Sequence, residues 1–135
     1  MACATMVLVY GLNGFWLLHT LEPGRLSRNL ATEINKQTQP GEPVYICDYA
    51  EPSTFFYLKN RGRFLQHWEL PDLLAADHPA SFTLAATTSA FDELEPRLRS
   101  RIITTGQVRG FNYVKMQSTS LQIGKFMRSP PATAP

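Results

Sequence analysis

The sequence predicts an α/β fold: a small three-layer, Rossmann-like domain with a mainly parallel sheet and an antiparallel C-terminal edge, preceded by one apolar helix. Short apolar runs typical of strands buried on both faces of a parallel sheet alternate with segments of helical periodicity. About 110 residues follow the apolar segment, which is the length of one domain. The last two strand candidates have no helix between them, so we expect them to form an antiparallel hairpin.

Residues 1–21 contain no charged side chain, and this apolar segment is the first predicted element. A helix of about 20 residues spans the ~30 Å hydrocarbon core of a bilayer, so we expect a transmembrane helix here. Two alternatives stay open. The segment could be a core or interfacial helix, because Gly11, Asn13 and Gly14 dilute its apolar character. It could instead be signal-like, although no Lys or Arg precedes Arg25.

A soluble domain over residues 22–128 is the second predicted unit. Its first helix, over 27–37, is indicated by Leu26, Leu30 and Ile34, which recur at intervals of four. The other expected helices are 53–60, 69–76 and 89–98, and the expected strands are 43–49, 63–68, 81–87, 101–106 and 118–126.

Small polar residues and prolines predict where the later elements begin and end. Pro96 falls late in the last predicted helix, so we expect a kink or an early end there. Ser89 is the expected N-cap of that helix, with Asp92 three residues later in a weak capping-box pattern. Residues 110–113 are predicted to be a turn or a strand edge. The tail 129–135 contains three prolines and is predicted to be disordered.

The charge balance and the cysteines exclude several classes of partner. The formal net charge is only +2. Arg97, Arg99 and Arg101 cluster, but aromatic side chains do not interleave them as a single-strand-binding surface requires. Cys3 and Cys47 are isolated and indicate neither a disulfide framework nor metal-ligand spacing. We therefore expect no nucleic acid among the partners and no bound metal.

The sequence lacks the motifs that hold common cofactors. No G-x-G-x-x-G follows a strand and there is no P-loop, so no cofactor is predicted. Asp48 ends an apolar strand, as the phosphorylated residue of a receiver domain does. However, Thr87 and Thr88 stand at the end of the third strand, where that chemistry needs a second Asp. The receiver hypothesis therefore fails.

Polar residues follow the predicted strands at the sheet edge where ligands of open parallel sheets bind. The candidates for substrate contact are Asp48, Tyr49, Glu51, Ser53, Thr88 and Ser89. Two carboxylates in one such loop could serve acid–base or cation-binding roles. A carboxylate after a strand also often caps the next helix or pairs with an arginine. The residues alone therefore favour a structural or substrate-contacting role over a catalytic one.

Four stretches of the chain, taken in order, resemble the end of a known family. They are RLSRNLATEINKQTQPGEPVYICDY, PSTFFYLKNR, ELPDLLAA and GFNYVKMQSTSLQIGKF. Together with the apolar segment they resemble the C-terminal region of bacterial family-39-like membrane glycosyltransferases. These are relatives of the dolichyl-phosphate-mannose protein mannosyltransferases and include the lipid A aminoarabinose transferases. The resemblance extends to about Arg128.

The resemblance implies a domain that works beside a membrane-embedded catalytic unit. In this family a helical membrane domain precedes a small α/β domain on the extracytoplasmic side of the bacterial inner membrane. The enzymes use polyprenyl-phosphate-linked sugars, and their catalytic carboxylates lie upstream of the region that this chain resembles. Nothing here matches those carboxylates, so no catalytic residue is assigned. Met1 would then be an internal methionine or a truncated gene start. The expected partners are membrane lipid, the upstream membrane domain and the polyprenyl-phosphate sugar.

Within such a protein the domain is expected to roof the membrane cavity and to position the acceptor or the lipid carrier, through the loops 48–53 and 87–90. One feature opposes this topology. Arg25 and Arg28 follow the apolar segment, which favours a cytoplasmic domain, although large domains translocate regardless of flanking charge. Two other hypotheses stay open: a membrane-tethered α/β binding or scaffold domain without an enzymatic parent, and a wholly soluble α/β protein whose first helix packs on the sheet.

Overall fold

Helices lie on both faces of a five-stranded sheet in the computed structural model, which describes residues 26–76, 81–112 and 115–126. The helices are α1 (Leu26–Gln37), α2 (Ser53–Tyr57), α3 (Leu70–Ala75), α4 (Thr88–Asp92) and α5 (Pro96–Arg99), and a 3₁₀ turn, His67–Glu69, precedes α3. The strands are β1 (Val44–Cys47), β2 (Gly62–Leu65), β3 (Phe82–Thr87), β4 (Ile102–Asn112) and β5 (Gln117–Phe126).

The sheet is mixed, with a parallel side and an antiparallel side. Its strand order is β2-β1-β3-β5-β4. β1 pairs in parallel with β2 and with β3, whereas β5 pairs antiparallel with both β3 and β4. The α/β class and the antiparallel hairpin near the C-terminus are thereby confirmed, whereas the predicted mainly parallel sheet is parallel on one side only, because β5 runs antiparallel to both of its neighbours. The last described strand, β5, lies inside the sheet, and β4 forms the edge.

Alternating side chains of the strands build two apolar cores, one on each face. On the face that α1 covers, Leu26, Leu30 and Ile34 are fully buried, so the four-residue spacing is confirmed as the buried stripe of a helix. The same core contains Val44, Ile46, Tyr49, Ala85, Val108, Leu121 and Ile123. The opposite core includes Cys47, Leu65, Leu70, Leu74, Phe82, Leu84, Phe91, Ile102 and Phe126.

Three predicted elements are shorter than their apolar runs. β1 ends at Cys47 because Asp48 has a left-handed φ of 58°, which a strand cannot continue. α2 ends at Tyr57 because Leu58 is extended, with φ −75° and ψ 135°. β2 likewise ends at Leu65, before the 3₁₀ turn. The prediction of each element was right, but its C-terminal boundary was wrong.

The single helix predicted over 89–98 is two short helices. α4 ends at Asp92, and Pro96 begins α5. The residue before the proline, Glu95, has a ψ of 140°, because a following proline disfavours helical backbone. Pro96 is therefore the first residue of a helix, a position that accepts proline, and does not end the helix before it.

Two further predictions need correction. The N-cap of α4 is Thr87, whose Oγ1 accepts a hydrogen bond from the Ala90 N–H at 3.4 Å, so the prediction of Ser89 as the cap was wrong. The fourth strand does not end at Gly106, as predicted: it continues past an irregularity between Thr104 and Gly106 to Asn112, so residues 110–112 belong to the strand and are not a turn. β4 is therefore an 11-residue strand.

The predicted transmembrane helix over residues 1–21 and the predicted disordered tail over 129–135 lie outside the described residues. Among the residues that the structure does describe, no helix has the length and apolar character needed to cross a membrane.

Candidate functional site

The carboxyl ends of β1 and β3 bound a crevice in the sheet. From β1 the chain continues through α2, which packs on α1, towards β2. From β3 it continues through α4, whose Phe91 belongs to the opposite core. Connections that leave two adjacent parallel strands on opposite faces open a crevice, which is the preferred ligand position of such sheets. We refer to this end of the sheet, where β1, β2 and β3 finish, as the carboxyl edge.

A polar pocket of about 230 Å³ lies at this crevice. It is lined by Asp48, Thr87, Thr88, Ser89, Lys115, Gln117, Ser118, Thr119 and Ser120. We call it the carboxyl-edge pocket. Six of these nine residues carry hydroxyl groups, and one carboxylate, one ammonium group and one amide complete the lining. This composition suits a ligand that has several hydroxyl groups or an anionic group.

One wall of the pocket comes from an arm of the sheet. The last residue of β3, Thr87, pairs with Leu121, whereas the β4–β5 pairing continues to Asn112 and Gln117. Residues 117–120 therefore extend beyond β3 and pair with β4 alone among the described strands. We call residues 109–112 and 115–120 the hairpin arm.

Asp48 forms the other wall, and its backbone and side chain are both held in place. Its φ of 58° lies in the left-handed region, which Asp tolerates better than most residues. The Oδ1 atom accepts a hydrogen bond from the backbone N–H of His67 at 3.0 Å. The Oδ2 atom lies 3.6 Å from Nδ1 of the same histidine. The end of β1 is thereby tied to the turn after β2.

The hydroxyl groups of the pocket are only partly used within the protein. Thr88 Oγ1 donates to the carbonyl of Ser120 at 3.3 Å, and the Thr87 and Ser89 hydroxyls lie 3.2 Å apart. The buried Oγ1 of Thr119 has no hydrogen-bond partner within the described part of the chain. Because this oxygen is buried, it is a local cost of about 1–3 kcal/mol and not a group that the pocket offers to a ligand.

Three of the predicted site residues lie elsewhere, in a network on the face that α1 covers. The Tyr49 hydroxyl donates to Glu51 Oε2 and lies 2.9 Å from the buried hydroxyl of Ser27 on α1. Ser53 Oγ donates to Glu51 Oε1 at 2.8 Å. We call Ser27, Tyr49, Glu51 and Ser53 the tyrosine network.

Within the tyrosine network the pKa of Tyr49 is raised and the pKa of Glu51 is lowered. Burial raises the pKa of Tyr49, and its hydrogen bond to Glu51 raises it further. Burial also acts to raise the pKa of Glu51, but hydrogen bonds from Tyr49, Ser27 and Ser53 outweigh it and hold that pKa below its ordinary value. The network is therefore a neutral phenol that donates to a carboxylate, as expected of a structural link between α1 and the β1–α2 connection.

The six predicted substrate contacts are thus divided between two places. Asp48, Thr88 and Ser89 line the carboxyl-edge pocket, whereas Tyr49, Glu51 and Ser53 belong to the tyrosine network. Thr87 lies in the predicted contact loop 87–90 and also lines the pocket, whereas sequence reasoning missed the whole arm wall. A signal was present in the run of four polar residues at 117–120, directly before the apolar residues of β5.

A larger groove of about 690 Å³ lies between α3 and α5, beside the start of β4 and away from the carboxyl ends of β1, β2 and β3. Its most distinctive side chain, Arg101, already donates to the carbonyl of Leu74 and stacks over Phe126, with 4.8 Å from its guanidinium carbon to the ring centre. Arg101 therefore serves packing, and the groove does not lie at the strand ends where ligands of such sheets bind, so the smaller carboxyl-edge pocket is the better candidate.

No group of three or more potential metal ligands comes together within the described ranges. The thiol of Cys47 is fully buried beneath the carboxyl edge. Burial raises its pKa to about 12, and the carboxylates of Asp48 and Glu69 add to the shift. It is therefore a packed thiol and does not have the thiolate character of a nucleophile.

Comparison with known proteins adds no family to this description: no family model, no curated protein and no solved structure matches the chain. The function is therefore inferred from the chemistry of the carboxyl-edge pocket and from its place in the fold.

Proposed function

We propose that this chain is the C-terminal portion of a multi-spanning bacterial membrane glycosyltransferase that uses a polyprenyl-phosphate-linked sugar. Its α/β domain lies on the extracytoplasmic side of the inner membrane, and the carboxyl-edge pocket contacts the sugar phosphate. Catalysis belongs to the upstream membrane domain, and this chain helps to position the lipid carrier or the acceptor.

The chemistry of the pocket supports a sugar phosphate as the ligand class. Serine and threonine hydroxyls both donate and accept hydrogen bonds, as the hydroxyls of a sugar require. Asp48 supplies a further acceptor. Lys115 supplies the cation that a phosphate oxygen prefers.

One observation carries the proposal: the pocket and the start of α1 lie at the same edge of the sheet. A Cβ atom on Gly110 of β4 would lie 3.1 Å from Cβ of Leu26, the first residue of α1. Gly110 pairs with Thr119, which lines the pocket. The uncharged segment 1–21 precedes α1 in the sequence. If that segment is held in a membrane, the pocket faces the lipid-linked substrate.

Ligand titration of the full chain in lipid nanodiscs tests this proposal. The probe is a hexose joined through a phosphodiester to a short, water-soluble prenyl chain, and the readout is the Kd by calorimetry. We expect saturable binding that Lys115→Gln weakens by about 10- to 100-fold, because a charge-assisted hydrogen bond contributes about 1.5–3 kcal/mol. Lys59→Gln is the matched control, because Lys59 is exposed beside Asn35, near the C-terminal end of α1. It should bind as the wild type does.

Absence of saturable binding, or equal affinities of the two lysine variants, contradicts the proposed site. Equal affinity for the free hexose and for the prenyl-phosphate hexose would favour the alternative of a binding or scaffold domain without an enzymatic parent. The reading frame upstream of Met1 separates the same two hypotheses, because only the glycosyltransferase requires in-frame hydrophobic spans there.

A further inference from the structure

Two large apolar side chains project from the carboxyl edge. Trp68 follows β2 in the 3₁₀ turn and is 64% exposed, and Met116 near the tip of the hairpin arm is 73% exposed. Both follow or precede strands at the same end of the sheet as the carboxyl-edge pocket. Trp68 follows β2 and Met116 precedes β5, and β1 and β3 lie between these two strands, which are therefore about 14 Å apart at about 4.8 Å per step.

The chain composition at these two points is typical of a membrane interface. Tryptophan is enriched at the level of the lipid headgroups, where its ring can contact apolar groups while its N–H donates a hydrogen bond to a polar group. The connection between β4 and β5 reads Tyr113, Val114, Lys115 and Met116, of which the structure describes the last two. A lysine beside apolar residues can bury its stem in the interface and keep its ammonium group in water.

The length of the chain ahead of α1 limits how far this edge can be from a membrane. Only four residues, from Glu22 to Arg25, separate the uncharged segment from Leu26. Four extended residues reach at most about 14 Å. Leu26 is fixed against Gly110, and Ser27 is fixed to Tyr49 at the end of β1. A membrane that holds residues 1–21 is therefore within a short reach of the carboxyl edge.

We propose that Trp68 and Met116 seat the carboxyl edge of the sheet on the interface of a lipid bilayer. The inference rests on the proposed attachment of residues 1–21 to the same membrane. It adds two contact points, on opposite sides of the pocket, that fix the orientation of the domain. The pocket then opens towards the headgroup region, where a lipid-linked phosphate lies.

A second copy of the chain fits this surface less well. The exposed parts of one tryptophan and one methionine amount to a few hundred Å², whereas a stable protein interface buries about 800 Å² on each partner. The same two side chains are enough to anchor an already tethered domain, because the tether removes most of the entropic cost of association.

Depth-dependent fluorescence quenching of the full chain in phosphatidylcholine vesicles tests the proposal. Trp16→Phe leaves Trp68 as the single tryptophan. Brominated phosphatidylcholine reports contact with lipid, and aqueous iodide reports exposure to water. A second reporter, Met116→Trp, and a matched control, Phe56→Trp, are made in a background that also carries Trp68→Phe. Phe56 is 87% exposed on α2, whose neighbouring side chain Phe55 packs at Gly62, the first residue of β2 at the opposite end of the sheet.

We expect brominated lipid to remove most of the fluorescence at positions 68 and 116 and little at position 56, with iodide giving the reverse order. Equal lipid quenching at all three positions would overturn the proposal, because it would show unspecific adsorption. Protection from both quenchers that grows with the ratio of protein to lipid would also overturn it, in favour of self-association.

Flotation of the vesicles separates failure of this inference from failure of the proposed attachment. If the chain floats with the vesicles but Trp68 and the reporter at 116 are quenched only by iodide, the docking is wrong and the attachment stands. If the chain does not float at all, both are wrong. Circular dichroism of each variant confirms that the reporters are in folded protein.

Discussion

The hydroxyl of Tyr49 connects three parts of the fold, so we expect its removal to destabilise the domain strongly. Tyr49→Phe keeps the buried ring but removes the oxygen that donates to Glu51 and bonds to Ser27 on α1. A charge-assisted hydrogen bond contributes about 1.5–3 kcal/mol, and the lost bond to Ser27, whose hydroxyl keeps Glu51 as a partner, adds about 0.5–1 kcal/mol. We therefore expect the free energy of unfolding to fall by about 2–4 kcal/mol at pH 7, a large part of the 5–15 kcal/mol typical of a domain.

The same network predicts how this loss depends on pH. The folded-state pKa of Glu51 lies below its ordinary value of 4.5, so its contribution to stability is fully present above pH 4.5. That contribution is lost as the pH falls through the lowered pKa, because the protonated carboxyl no longer accepts a charge-assisted bond. The difference between Tyr49→Phe and the wild type should therefore be largest at neutral pH and should shrink in acid.

Urea unfolding followed by circular dichroism, at neutral pH and below the lowered pKa, measures both effects. Tyr57→Phe is the matched control, because the Tyr57 side chain is substantially exposed at the end of α2. It should leave the unfolding midpoint unchanged. If Tyr49→Phe is as stable as Tyr57→Phe at neutral pH, the structural role of the network is refuted. Tyr49, Glu51 and Ser53 would then again be candidates for ligand contact.

Two further pairs of substitutions, each a test and its control, probe the end of the sheet where β1 begins and the antiparallel β4–β5 pairing. Glu42→Gln should lower the free energy of unfolding by about 2–4 kcal/mol in thermal or urea unfolding, because the buried Glu42 carboxylate pairs with Lys125 at 3.2 Å; the exposed Glu33→Gln should cost less than about 0.5 kcal/mol. Gly124→Ala should cost about 1–3 kcal/mol in the same assay, because its Cβ would lie 2.4 Å from a methyl carbon of Ile102. In Gly106→Ala the added methyl meets only the end of the flexible Gln37 side chain, so little loss is expected. Equal stability within either pair would contradict the corresponding packing argument.

The elements that the sequence predicted well are those whose signal is local. The stripe of Leu26, Leu30 and Ile34 depends only on the helical repeat, and the apolar run around Ile46 only on burial from both faces. The alternation of such signals was enough to predict an α/β class with an antiparallel hairpin. It was not enough to place β5 inside the sheet, because strand order depends on contacts between distant parts of the chain.

Only part of the candidate site was predicted from the sequence, and two physical features of the fold account for the part that was missed. The rule about strand ends identified Asp48 and Thr88, which do line the pocket. It also grouped Tyr49 with Asp48, although the left-handed backbone at Asp48 sends the next side chain to the core under α1. The arm wall was missed because its position depends on how far the β4–β5 pairing extends beyond β3. No short stretch of sequence specifies that length.

The position of β5 inside the sheet has a consequence for biosynthesis. Until residues 117–126 have left the ribosome, β3 lacks one neighbour, and β4 pairs with no other described strand. Both cores also lack side chains that they need, among them Leu121, Ile123 and Phe126. Unpaired strands and uncovered apolar surface invite association with other chains. We therefore expect the nascent chain to complete its fold in one late step. Until then it needs protection from association with other chains, for longer than a domain whose last strand is added at an edge.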